Sequence, residues 1–129
     1  MAVQTPPRPE LAHAQAIRAD FPEVVSALRE VVGRGLVAYL GGVKETRAVN
    51  QWAAGDREPG AKVKARLRLA LQIALMVADA DGPRVAQAWF QGLNPQLDDR
   101  SPARVLRVGD LERDGQAVLG AARAFLVGG

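Results

Sequence analysis

Wherever apolar side chains recur along this chain they recur three or four positions apart, which is the period of helices rather than strands. Val24, Leu28 and Val31 or Val32 form such a stripe and predict a helix over 23–32. Gly33 and Gly35 loosen the chain before a short helix over 36–40. The Gly41-Gly42 pair then marks a tight turn, because glycine tolerates positive φ and lets the next element approach closely. A helix over 45–54 follows, closed by Gly55 as a C-terminal cap. The longest element is predicted over 61–78. Val63, Leu67, Leu71 and Leu75 occupy one of its faces, and Leu69, Ile73, Met76 and Val77 a second that begins after the first turns. A helix apolar on two sides has to be covered on both, by two layers of one fold or by a subunit interface.

Further along, Gly82-Pro83 ends that helix and opens another over 84–91, which carries Trp89 and Phe90. Asn94-Pro95 reads as a turn. Ser101 supplies an N-cap hydroxyl and Pro102 the first helical position of a helix that ends at Gly109. Residues 110–115 read as a charged linker, and a final helix over 114–127 buries Val118, Leu119, Ala122 and Phe125 or Leu126. At the front, Pro6, Pro7 and Pro9 keep the first nine residues out of regular structure, as a mobile arm, and a helix over 10–20 stops at Pro22. There is no strand signal and no internal repeat. The expected fold class is all-α, a helical bundle.

Composition narrows the chemistry. A chain of 129 residues supports one core, or two very small ones sharing a helix. The absence of cysteine excludes disulfides, thiolate zinc sites and a cysteine nucleophile, and points to a reducing, cytoplasmic compartment. With His13 as the only histidine, His-rich metal sites are excluded as well. No apolar run is long enough for a membrane span, and the start lacks the basic and apolar segments of a signal peptide. Asp98, Asp99, Asp110, Glu112 and Asp114 lack the spacing of an oxygen-ligand loop, and neither Ser26 nor Ser101 can be joined to a base and an orienting acid. Neither catalysis nor a cofactor is expected.

The formal charge of +3 is unevenly placed. Residues 1–20 and 81–129 are each balanced, whereas residues 21–80 carry nine positive and six negative side chains, so any polyanion surface belongs to the middle. There the stretch LVAYLGGVKETRAVNQWAAGDREP, residues 36–59, has the parts of a helix-turn-helix: a short apolar helix, a glycine turn, and a second helix able to cross it closely. Val49 and Trp52 lie three apart and would pack inward. Lys44, Thr46, Arg47, Asn50, Gln51 and Arg57 are the side chains left to hydrogen-bond base edges or phosphates. Lys62, Lys64, Arg66 and Arg68 would add charge for a DNA backbone, scattered around their helix. The bland alternative is a helical hairpin whose charges form a solvated face; Trp52 is a core residue on either reading.

On Trp52, Gly55 and Pro59 the segment resembles the Xre/Cro-type repressors. It departs from them in its recognition-helix cap, which falls on Lys44 or Glu45 instead of a Ser or Thr, and in one extra residue between Val43 and Val49. The C-terminal third, on Trp89, Asn94, Pro95, Leu97, Ser101, Pro102, Leu106 and Gly109 in order, resembles the toxin-binding domain of the Xre/MbcA/ParS antitoxin family. Together the resemblances reach from about Val24 to the C-terminus. They imply an arm and helix over 1–20, a helix-turn-helix domain over 21–80 and a toxin-binding domain over 81–129. They further imply a type II antitoxin, in a homodimer or a toxin–antitoxin hetero-oligomer, whose partners are a cognate NAD-consuming RES-domain toxin and operator DNA. In that family the last residues reach toward the toxin's cleft, and the matching positions are Arg123, Phe125, Leu126, Val127, Gly128 and Gly129. A helix end with a Gly-Gly stub, and a solvated Arg123, remain the plain alternatives. A stand-alone helix-turn-helix regulator that dimerises through its C-terminal part is the alternative function, and a purely structural helical adaptor is a third.

Overall fold

A computed structural model describes residues 19–128, and these are helical with no strand among them. Seven α-helices follow in order: α1 (Phe21–Val32), α2 (Arg34–Gly41), α3 (Thr46–Ala54), α4 (Ala61–Asp81), α5 (Pro83–Gln91), α6 (Pro102–Val108) and α7 (Leu111–Leu126). A single 3-10 turn, Pro95–Leu97, interrupts the connection between α5 and α6. The all-α expectation is met. The arm expected over residues 1–9 and most of the helix expected over 10–20 lie outside the described residues, as does Gly129. Ala19 and Asp20 are not helical, and Asp20 instead stands in extended conformation as the residue that starts α1.

Several boundaries differ from expectation. Helix α1 starts at Phe21 rather than residue 23, with Pro22 in its first turn, where a missing N–H costs nothing, and α2 spans Arg34–Gly41 rather than 36–40, with Gly35 inside it. Helix α4 continues past residue 78 to Asp81, because Ala78 and Ala80 are strong helix formers and nothing breaks the helix before Gly82, whose φ of +94° ends it. The stretch 110–115, expected as a charged linker, is the beginning of α7. Asp110 is its N-cap, with Oδ1 accepting from the Glu112 backbone N–H at 3.1 Å. The Asp110 N–H in turn donates to Asp114 Oδ2 at 2.7 Å, a reciprocal arrangement like a capping box. Acidic side chains in the first turn also suit the positive end of the helix dipole. The expected Ser101 cap is present, its hydroxyl accepting from the Arg104 N–H at 3.2 Å.

Helix α4 is the axis of the molecule. It packs against α1 and α2 and also against α5, α6 and α7. Leu67, Ala70, Leu71, Ile73, Ala74, Met76 and Val77 are buried along it, so both of its apolar faces are covered within one chain. The buried residues form one continuous cluster from Phe21 to Ala122, and no polar or charged side chain among the described residues is buried with them. Helix α7 reaches α4 by way of Gly115. A Cβ at that position would stand 2.8 Å from Leu69 Cδ2 and 3.2 Å from Leu111 Cδ1, so the missing side chain sets how closely the two helices cross. Among the described residues no helix is long and apolar enough to cross a membrane.

The carboxyl of Asp114 is held below the usual carboxylate range, first by the Asp110 backbone N–H and then by Arg113. A depressed folded-state value means stability that is present above the ordinary carboxylate value and is lost as pH falls through the folded one. Asp114→Ala is expected to melt below the wild-type protein at pH 7. The gap should narrow between about pH 5 and pH 3 as the unfolded wild-type chain takes up a proton first. Thermal melts of both proteins across that range check it.

Candidate functional site

The turn between α2 and α3 is built by its glycines. Gly42 adopts φ +75°, and its N–H donates to the Tyr39 carbonyl at 3.1 Å while the Val43 N–H returns to Ala38 at 3.0 Å, which terminates α2. Gly41 meets α3 directly: a Cβ there would fall 2.7 Å from Trp52 Cζ3. The indole therefore packs against bare backbone, and Phe21 closes its other side edge-on, with ring centroids 6.4 Å apart. Ala48, Val49 and Trp52 are the buried face of α3, as the spacing of Val49 and Trp52 required. The indole Nε1 is buried without a hydrogen-bond partner, an expense of about 1–3 kcal/mol that the surrounding apolar packing has to exceed.

That seat turns the opposite face of α3 outward. Arg47 and Asn50 are exposed and Gln51 half-buried, three and four positions apart and hence neighbours on one surface. Lys44, Arg47, Gln51 and Arg57 line one open depression of about 450 Å³, together with Val43, Glu45 and Ala48. Thr46, half-buried, and Asn50 do not line it. Of the two cap positions left open by the sequence, Glu45 is the one that precedes α3, and its side chain makes no capping bond. The first-turn N–H groups of α3 are thus left without a side-chain acceptor, at an end of the helix that attracts anions. Arg57 Nη1 approaches Gln51 Oε1 at 3.5 Å, a long contact.

Two features were missed by sequence reasoning. Arg29, in the last turn of α1, donates from Nη1 to Asn50 Oδ1 at 3.2 Å, a bond that does not use the Asn50 amide N–H groups. No periodicity could have announced this, since it depends on how α1 crosses α3. The second concerns the cations of α4. Lys64 pairs with Glu58 at 3.0 Å and lies 5.7 Å from the centre of the Phe21 ring. Arg66 Nη1 donates to the Leu40 carbonyl at 3.0 Å, and Arg68 Nη1 to the Ala19 carbonyl at 2.7 Å. Three of the four side chains expected to supply a charged fringe for DNA are therefore engaged by the protein itself, while Lys62 is exposed.

The residues expected at a protein interface divide. Phe125 is half-buried, 6.4 Å from the Trp89 ring, and Leu126 packs partly against the core. Arg123, Val127 and Gly128 are exposed, Val127 at 86%. Phe125 also forms the wall of an apolar groove of about 320 Å³ shared with Trp89, Leu93, Pro95, Ala121 and Ala124. Leu93 stands at its edge, 78% exposed. The loop after it is stiffened by Asn94, whose carbonyl accepts from the Leu97 and Asp99 N–H groups and whose Oδ1 accepts from the Gln96 N–H. Asp98 and Asp99 are held there at φ +56° and +59°. Among the described residues no group of three or more His, Asp or Glu side chains could hold a metal ion.

No family model, no curated protein and no solved structure matches the chain.

Trp52→Ala is expected to destabilise the protein by about 3–5 kcal/mol, toward the lower end because the unpaired indole N–H leaves with the ring. Urea unfolding with an unchanged m-value measures it, and a loss below 1 kcal/mol would place the ring's packing elsewhere. Arg47→Ala combined with Asn50→Ala should shift the melting temperature little, both side chains being exposed and the Arg29–Asn50 bond lying at the surface; a calorimetric scan tests this.

Proposed function

We propose that this protein is a type II antitoxin of the Xre/MbcA/ParS kind, which binds operator DNA through α2–α3 and covers the active site of a cognate RES-domain toxin with its C-terminal helices. The observation that carries the reading is the two-sided α3. Its inner face is fixed by Trp52 against Gly41, and its outer face presents Arg47, Asn50 and Gln51 beside Lys44 and Arg57. Such a face supplies amide donors and acceptors for base edges, with guanidinium and ammonium groups for phosphates. Thr46 stands at the start of the same helix, next to free backbone N–H groups.

On the C-terminal side the support is an apolar surface. Leu93 and Val127 are exposed large hydrophobic side chains, and the groove walled by Trp89 and Phe125 lies beside Leu93 on a stiffened loop. Apolar anchors next to a preformed groove are what protein–protein hot spots are made of. Among the described tail residues, those left to enter a toxin's cleft are Val127 and Gly128, with Arg123 exposed one turn earlier. The inward packing of Phe125 and Leu126 favours the second reading, a stand-alone regulator whose C-terminal helices are structural or dimerising.

Co-expression with the adjacent gene separates the two. The antitoxin reading expects that gene to arrest growth when expressed alone and to be neutralised by this protein. Leu93→Asp with Val127→Asp should abolish neutralisation while leaving DNA binding intact. A neighbour that is harmless alone would overturn the antitoxin. For the DNA part, Arg47→Ala with Asn50→Ala should weaken binding to the protein's own promoter at least tenfold in a mobility-shift titration. Unchanged affinity would overturn the helix-turn-helix assignment.

A further inference from the structure

The structure assigns a phosphate-binding site to the side chains of Arg66 and Arg107, which converge on the C-terminal turn of α2. Arg66 reaches it from α4, and its Nη1 donates to the Leu40 carbonyl at 3.0 Å, satisfying one of the acceptors that a helix end leaves open. Arg107 reaches it from α6, with its guanidinium carbon 4.5 Å from the centre of the Tyr39 ring. Tyr39 and Leu40 are successive residues, so two cations from separate helices are each fixed by an uncharged contact on the same turn.

Neither has an anion. Among the described residues Lys64 pairs with Glu58 and Arg113 with Asp114, but neither Arg66 nor Arg107 takes part in an ion pair. Asp110 and Glu112 line a depression together with Arg66 but form no ion pair with it. Partial burial and the neighbouring Arg107 charge together hold Arg66 below the ordinary arginine value, as expected for two like charges kept close without a counterion. A guanidinium offers five N–H donors in a planar fork, and Arg66 spends one on Leu40. A phosphate accepting from both forks would turn the repulsion into charge-assisted hydrogen bonds, the geometry for which arginine is suited and lysine is not.

The position favours a phosphodiester of bound DNA as the source. Gly42, the first residue of the turn leading to α3, lies against Arg66, with 3.8 Å between Nη1 and a Cβ built on it. Lys44 and Arg47 follow directly. This choice rests on the DNA-binding reading given above; the site itself does not, since free phosphate presents the same oxygens. If DNA is the ligand, α6 belongs to the DNA-binding surface as well as to the C-terminal bundle.

The test uses the full chain and two probes. The first is a mixed-sequence duplex of about 30 base pairs, titrated across about 50–200 mM potassium chloride. Arg107→Gln is expected to reduce the slope of log affinity against log salt by about 1, while Arg107→Lys retains it. The second is inorganic phosphate, compared with chloride at equal ionic strength in thermal melts. Wild-type protein should gain more from phosphate than Arg107→Gln does, the gain common to both being the general salting effect. An unchanged slope with a phosphate gain specific to wild type supports the site and assigns free phosphate as its ligand. Loss of all DNA binding by wild type, with that gain retained, overturns the DNA reading and leaves the site standing. Equal slopes and equal phosphate gains in wild type and Arg107→Gln overturn the site. Should Arg107→Gln melt early in chloride, Arg107→Lys decides: an undiminished phosphate gain in that variant overturns the proposed fork.

Discussion

The constraint on which the structure depends is that α4 is apolar on two sides. A 21-residue helix with Leu67, Leu71, Ile73 and Met76 all buried has apolar surface on two flanks, so the chain has to cover both. Helices α1, α2, α5, α6 and α7 all pack on it. Everything that bears on function is then an outgrowth of that wrapping. Helix α3 reaches the core by packing on α1 and α2, and α6 by packing on α2 and α7.

The placement of α3 shows how small a device orients a surface. With no side chain at Gly41, the Trp52 ring lies on the end of α2, and the direction of the helix's other side chains follows from the helical period. Charge follows the same economy. Of the basic residues of α4, Lys64 is paired with Glu58 and Arg68 is bonded to Ala19, and Arg66 spends one donor on the end of α2, while Lys62 and the cations of the turn and α3 are exposed. A count of positive side chains in the middle of the chain therefore overstates the charge that can meet a polyanion.

Much of this was legible in the order of residues. The two-faced α4, the glycine turn, the inward Val49 and Trp52 and the Ser101 cap each follow from local rules that tertiary packing reinforced. The acidic stretch before Gly115 was misjudged because the same charges that suit a solvated linker also suit the first turn of a helix. The reciprocal bonds of Asp110 and Asp114 decided the matter. The Arg29–Asn50 contact and the Tyr39–Arg107 stack were illegible, because each joins residues whose helices meet only once the bundle is assembled. In the tail, apolarity marked Phe125, Leu126 and Val127 alike, and only the turn of α7 against Trp89 distinguishes those facing inward from the one facing out.

The unbroken cluster from Phe21 to Ala122 has a thermodynamic consequence. With no layer of polar groups dividing it, the front and back of the molecule are expected to unfold as one unit, in which case a ligand that recognises only the folded form adds RT ln(1 + [L]/Kd) to the stability of both. A ligand held at α3 would thus protect the C-terminal helices from proteolysis and exchange, and a protein seated on those helices would protect α3 in return. The two ends are linked through the reluctance of a shared interior to open, with no change of shape needed.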